Sequence, residues 1–114
     1  MDEKDSINCG SSLTMQYIGG KWKVAILWYL QEDKRRFTDF KKLIPKMSDR
    51  TLSLQLKKLE EDKIIKREVF TKKPPLKVEY SLTDFGKTLI PILQLISKWG
   101  SELKSSKANS IKLS

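Results

Sequence analysis

The stretch Ser48-Asp49-Arg50-Thr51-Leu52-Ser53-Leu54-Gln55-Leu56-Lys57-Lys58-Leu59-Glu60-Glu61-Asp62 reads as a helix with two unlike faces. Ser48 is a good N-cap, because its hydroxyl can accept an orphan backbone N–H of the first turn. Leu52, Leu56 and Leu59 follow at +4 and +3 spacing, so a 3.6-residue period gathers them on one side as a core stripe. The opposite side shows Arg50, Ser53, Leu54 and Lys57. Asp49 at the start and Lys57-Lys58 further along suit the helix dipole, whereas Glu60-Glu61-Asp62 at the end do not. A bulky Leu54 on a polar face is out of place on a helix that meets only water.

After this helix the apolar period changes from 3.6 to 2. Ile64 to Phe70 reads as one strand and Lys77 to Leu82 as another, with Val78, Tyr80 and Leu82 on one side. Between them lies Thr71-Lys72-Lys73-Pro74-Pro75-Leu76, a stiff basic loop whose prolines cannot carry a regular ladder. Upstream, Arg36-Phe37 reads as a very short strand. Thr38 then caps a small helix holding Phe40, Leu43 and Ile44, ended by Pro45, since the residue before a proline avoids the α region. Short helix, turn, capped helix and basic hairpin is the order of a winged helix-turn-helix. The expected class is therefore mainly α with a small β-hairpin.

The flanks are helical too. Residues 1–10 read as a loose arm, and Ser11-Ser12 cap a helix from Leu13 to Ile18. Gly19-Gly20 interrupts, and a second helix runs from Lys21 to Leu30, with Trp22 and Trp28 assigned to core or interface. Thr83 caps a final helix that Pro91 must kink or split. Its stripe Leu89, Ile92, Ile96, Trp99 and Leu103 exceeds what a core needs, so the surplus is expected to pair across a two-fold axis with Leu13 and Tyr17. Residues 104–114 read as a frayed basic tail, which leaves 11–103 as the domain.

Composition points the same way. A chain of 114 residues with 39% hydrophobic and 32% charged residues is one globular domain. The formal net charge is +9, and it is unevenly placed. Residues 1–20 carry −2, 21–45 carry +4, 46–83 carry +4, 84–103 are neutral and 104–114 carry +3. The basic middle suits a polyanion, double-stranded DNA before a membrane surface, while the neutral apolar segment suits a protein contact. No apolar run approaches the ~20 residues of a membrane span, and the acidic N-terminus is unlike a signal peptide, so the cytoplasm is the expected location. With no His and one Cys, the sequence offers no Cys/His zinc site, no His-dependent triad and no cofactor motif. An enzyme is not expected.

The DNA reading assigns roles. Arg50 can read guanine bidentately and Leu54 can meet a thymine methyl, with Thr51, Ser53 and Lys57 beside them. Lys72, Lys73 and Lys77 on the hairpin are phosphate candidates. Thr38 and Ser48 cap helices whose first N–H groups can also meet phosphate. An adaptor that binds protein, or a sensor that holds a small ligand between the dimerising helices, is the competing reading. Steep salt dependence belongs only to the first.

Gly19-Gly20-Lys21-Trp22-Lys23, Leu52 to Asp62, Arg67-Glu68-Val69-Phe70, Pro74-Pro75, Val78 to Thr83, Gly86 and Trp99-Gly100 together resemble the HxlR-type family of bacterial and archaeal transcription regulators, relatives of the MarR-type regulators. The resemblance covers about residues 9–100. It implies a homodimeric winged-helix DNA-binding regulator, dimerised by its first and last helices, with 49–62 as recognition helix. It also implies a candidate redox- or electrophile-sensing role for Cys9, set against an inert small hydrophobe. Three positions depart from the family pattern. Lys63 stands where a glycine is usual, Leu76 is an extra wing residue, and Cys9-Gly10 replaces Cys-Pro. The operator and any effector are not readable.

Overall fold

The computed structural model describes residues 9–71 and 73–108. Residues 1–8 of the arm expected at 1–10, the end of the tail at 109–114 and Lys72 lie outside the described residues, as does the Cys9 side chain; Cys9 and Gly10 belong to the first helix and not to an arm.

Helix α1 spans Cys9–Ile18. It starts before the expected Leu13, because Ser11 and Ser12 are helical rather than capping and the Thr14 hydroxyl donates back to the Gly10 carbonyl (2.9 Å). Gly20, at φ +101°, turns the chain where a side chain would be strained. Helix α2, Lys23–Glu32, begins two residues later than its spacing suggests. It is apolar nearly all round, with Ile26, Leu27 and Leu30 buried, and it packs on the hairpin and on the last helix.

Arg35 closes α2 and opens the sheet. Its Nε donates to the Tyr29 carbonyl (3.1 Å) and its guanidinium pairs with Glu32 (3.1 Å), placing a cation at the helix C-terminus. Its backbone exchanges two hydrogen bonds with Tyr80 (3.0 and 2.8 Å), a single bridge beside the hairpin. The strand expected at Arg36-Phe37 is therefore one residue earlier and one residue long. Arg36 instead starts helix α3, Phe37–Leu43, with its N–H donating to the Asp39 carboxylate (2.7 Å). Thr38 thus sits inside the first turn of α3 and is not its cap. A hydroxyl at 38 suggests a cap, but the carboxylate of Asp39 reaches back to Arg36 and sets the start of the helix two residues earlier.

Helix α4, Asp49–Glu61, follows the turn after Pro45, and Leu52, Leu56 and Leu59 are buried as expected. It ends with Lys63 at φ 61°. The Ile64 N–H bonds to Leu59 O and the Lys63 N–H to Glu60 O (both 3.0 Å), while Leu59 and Ile64 are both sealed in the core. This C-terminal motif normally takes glycine at the left-handed position; here a lysine occupies it.

Strands β1, Ile65–Val69, and β2, Val78–Leu82, pair antiparallel with Arg67 opposite Tyr80. Thr83 caps α5, Asp84–Lys87, where the Gly86 N–H donates to its hydroxyl oxygen (2.9 Å). A Cβ on Gly86 would lie 2.1 Å from the Ile64 carbonyl oxygen, so only glycine lets α5 seat on the end of α4. Pro91 does split the final helix. Helix α6 runs Ile90–Ala108, further into the expected tail than 103. Leu93 carries α6 into the core, whereas Ile92, Ile96 and Trp99 stay exposed. Among the described residues no polar or charged residue is buried, and no helix is long and apolar enough to cross a membrane.

Candidate nucleic-acid interface

The turn between α3 and α4 is clasped by Lys41, whose ammonium pairs with Asp49 and donates to the Met47 carbonyl (3.2 Å). Met47 itself is buried under the turn. Ser48 caps α4: the Thr51 N–H donates to Ser48 Oγ (3.1 Å), and the Ser48 hydroxyl donates on to Thr51 Oγ1 (3.0 Å). Thr51 is half-buried in this pair. These contacts hold the first turn of α4 against the body of the protein and leave its outer face free.

That outer face presents Arg50, Ser53, Leu54 and Lys57, all exposed, with Leu54 at 48%. Gln55 lies half-buried at its side. Thr38 is exposed on the first turn of α3. On the hairpin, Lys73 and Lys77 are exposed. The loop is braced by Thr71, whose Oγ1 donates to the Pro75 carbonyl (3.2 Å) and accepts from the Lys77 N–H (3.1 Å). Among the described residues Arg50, Lys57, Lys73 and Lys77 form no ion pair, so their charge is available to a polyanion. The structure adds exposed Arg36 and Lys46, at either end of α3, and Arg67 on β1. Sequence reasoning passed over them because none lies on a periodic face; only the basic excess of residues 21–83 pointed there.

A second exposed surface differs in character. Leu13, Met15, Phe85, Ile92, Leu95, Ile96 and Trp99 are exposed on α1, α5 and α6. Tyr17 meets the Phe85 ring edge to face (5.5 Å between centroids) and so packs within its own chain. Leu89 and Leu103 are half-buried. Leu95, absent from the expected stripe, is 66% exposed, one helical step from both Ile92 and Trp99. Trp22 and Trp28 pack half-buried against the core. Among the described residues no group of three or more Cys, Asp or Glu is placed to hold a metal ion.

A clasped helix-turn-helix whose second helix bares Arg50 and Lys57 on its outer face, followed by a basic hairpin, is the architecture of winged helix-turn-helix transcriptional regulators. Residues 17–108 match the family described as HxlR-like helix-turn-helix, and the chain belongs to that family. Over 100 residues it is 48% identical to YdeP, an HTH-type transcriptional regulator of Bacillus subtilis (strain 168), covering 88% of this chain and 77% of that one. Among solved structures it is similar to the redox regulator HypR in its reduced form (TM-score 0.80, 41% identity, 86% of this chain and 96% of that one). It is also similar to a MarR-family regulator from Porphyromonas gingivalis W83 (TM-score 0.78, 33% identity, 90% and 95%). The chain is a transcriptional regulator of the helix-turn-helix type, and its relatives are regulators rather than enzymes.

Proposed function

We propose that this regulator binds a pseudo-palindromic duplex as a homodimer, each copy laying α4 in the major groove and the hairpin alongside. The observation that carries this is the outer face of α4. Arg50, Ser53, Leu54 and Lys57 are bare on a helix whose other face is sealed by Leu52, Leu56 and Leu59. The major groove admits one helix, and its base edges take Arg and small apolar contacts. Leu13, Ile92, Ile96 and Trp99 supply the two-fold contact, with Tyr17, Leu89 and Leu103 behind them. Half-sites then lie about one helical turn, ~10 bp, or a multiple of it apart. Selection from a random duplex pool tests this. A recovered site with two inverted half-sites, bound with steep linear log–log salt dependence, is the expected result. Salt-indifferent binding to protein alone is the result that defeats it.

A redox response through Cys9 extends the reading. What supports it is that HypR, at 41–44% identity, is named a redox regulator, and that Cys9 opens helix α1, one of the two helices expected to dimerise. A hypochlorite-type oxidant converts the thiolate to a sulfenic acid, which condenses with a second thiol to a disulfide and releases water. As the only cysteine, Cys9 must find that thiol on the partner copy or on a small molecule. DNA affinity before and after hypochlorite, in parent and Cys9→Ser, decides. Oxidant sensitivity lost in Cys9→Ser is expected; equal behaviour leaves Cys9 structural.

A further inference from the structure

The outer half of the hairpin is apolar as well as basic, and the phosphate role of its lysines does not account for that. Val69, Phe70 and Leu76 are 46%, 51% and 51% exposed, and Pro74 and Pro75 are exposed beside them. None of these side chains belongs to the hydrophobic core or to the half-buried residues around it. Phe70 has a partial cover in Lys34, whose ammonium stands 6.0 Å from the ring centroid. Leu76 is exposed on the returning arm of the loop, one residue before Lys77, whose carbonyl closes the loop on Phe70.

The loop around Leu76 is held rather than floppy. Phe70 N–H donates to the Lys77 carbonyl (2.7 Å), and Thr71 ties Pro75 to Lys77 through its hydroxyl. Two consecutive prolines remove further backbone freedom. A stiff loop loses little entropy on binding, so an exposed apolar side chain held on it is well prepared to enter an apolar slot. The flanking charge says which slot. Lys73 and Lys77 stand on either side of Leu76 in sequence, so the slot that suits the leucine must also carry negative charge on both of its rims. The DNA minor groove offers both: sugar walls and a base step that accept an apolar wedge, between two phosphate rows that accept lysines.

We infer that Leu76 is a minor-groove wedge, seated by Lys73 and Lys77 on the flanking phosphates, and that it bends the duplex at the wing. This rests on the reading of α4 and the hairpin as the DNA-contacting side. The wedge adds selectivity for flexible pyrimidine–purine steps at the wing position, which unstack most easily, without a hydrogen bond to any base.

The test uses the full chain and an end-labelled duplex selected from a random pool, with bend measured by energy transfer between the ends. Leu76→Ser is expected to bind about tenfold more weakly, the loss of one buried leucine contact, with a smaller bend and an unchanged log–log salt slope. Leu76→Met should restore bend and affinity, and Lys73→Ala should flatten the salt slope while keeping most of the bend. Leu76 is exposed, so thermal melting of Leu76→Ser should match the parent. Parent-like bend and affinity in Leu76→Ser overturn the wedge, as does a parent complex with straight DNA; both leave the α4 reading standing. A parent that binds no duplex overturns that reading and the wedge together.

Discussion

Exposed apolar side chains occur on two sets of elements in this molecule, and they keep different company. Leu54 and Leu76 stand among Arg50, Lys57, Lys73 and Lys77, in the segment 46–83, which carries a net +4. Leu13, Ile92, Leu95, Ile96 and Trp99 stand on helices α1 and α6, and the apolar part of α6 falls in residues 84–103, whose charges cancel. The same residue type therefore implies different partners. Burial of apolar surface is nearly indifferent to salt, while release of counterions from a polyanion is steeply dependent on it. On the proposed reading the basic side meets a partner that brings its own negative charge, and the neutral side one that brings more apolar surface. A second copy of the chain brings such a surface.

The largest expected effect comes from placing a charge on the neutral side. Trp99→Glu puts a carboxylate where the proposed two-fold contact is dry, and an unpaired buried charge is far costlier than a lost contact. Light scattering at micromolar concentration should turn from dimer to monomer, with the dissociation constant raised roughly a hundredfold or more. Because Trp99 is 68% exposed within its own chain, the monomer should keep its fold by circular dichroism. A dimer that survives would break the contrast between the two sides.

On the basic side, Arg50→Ala should weaken operator binding by about 1–3 kcal/mol and relax preference at one base position in each half-site, read by competition with single-base variants. The dimer mass should not move. Equal loss on operator and random DNA would reduce Arg50 to a phosphate contact.

The joint between α4 and the hairpin allows a change that should touch neither side. Lys63 holds a left-handed conformation that glycine adopts without strain. Lys63→Gly should raise the unfolding free energy by about 0.5–1 kcal/mol in thermal or urea unfolding, leaving dimer mass and base preference alone. The smallest effect is expected from Lys73→Ala, which should weaken binding to all duplexes alike and lower the log–log salt slope by about one per subunit.

Much of the basic side is legible in the sequence alone. Capping by Ser48, the Leu52–Leu56–Leu59 stripe and the bare Arg50–Lys57 face depend on residues within a few positions of each other, so period and cap chemistry suffice. The neutral side is legible only as a surplus. The stripe Leu89, Ile92, Ile96, Trp99 and Leu103 stands out by its spacing, but which of its members the chain buries for itself depends on where α2 lies against α6. That packing takes Leu93 inward and leaves Leu95 out.

The sequence by itself determined the helix-turn-helix, its wing and the segregation of charge, because those follow from contiguous residues. Only the tertiary structure decided the rest, and in each instance the reason is a partner far along the chain. Tyr80 makes a one-residue strand of Arg35, freeing Arg36 to start α3 with Asp39. Ile64 demands glycine at 86, twenty-two positions away, and Phe85 takes Tyr17 for its own chain. A local pattern can state that a residue is apolar or able to cap a helix; which surface it meets is settled only when distant segments compete for the same space.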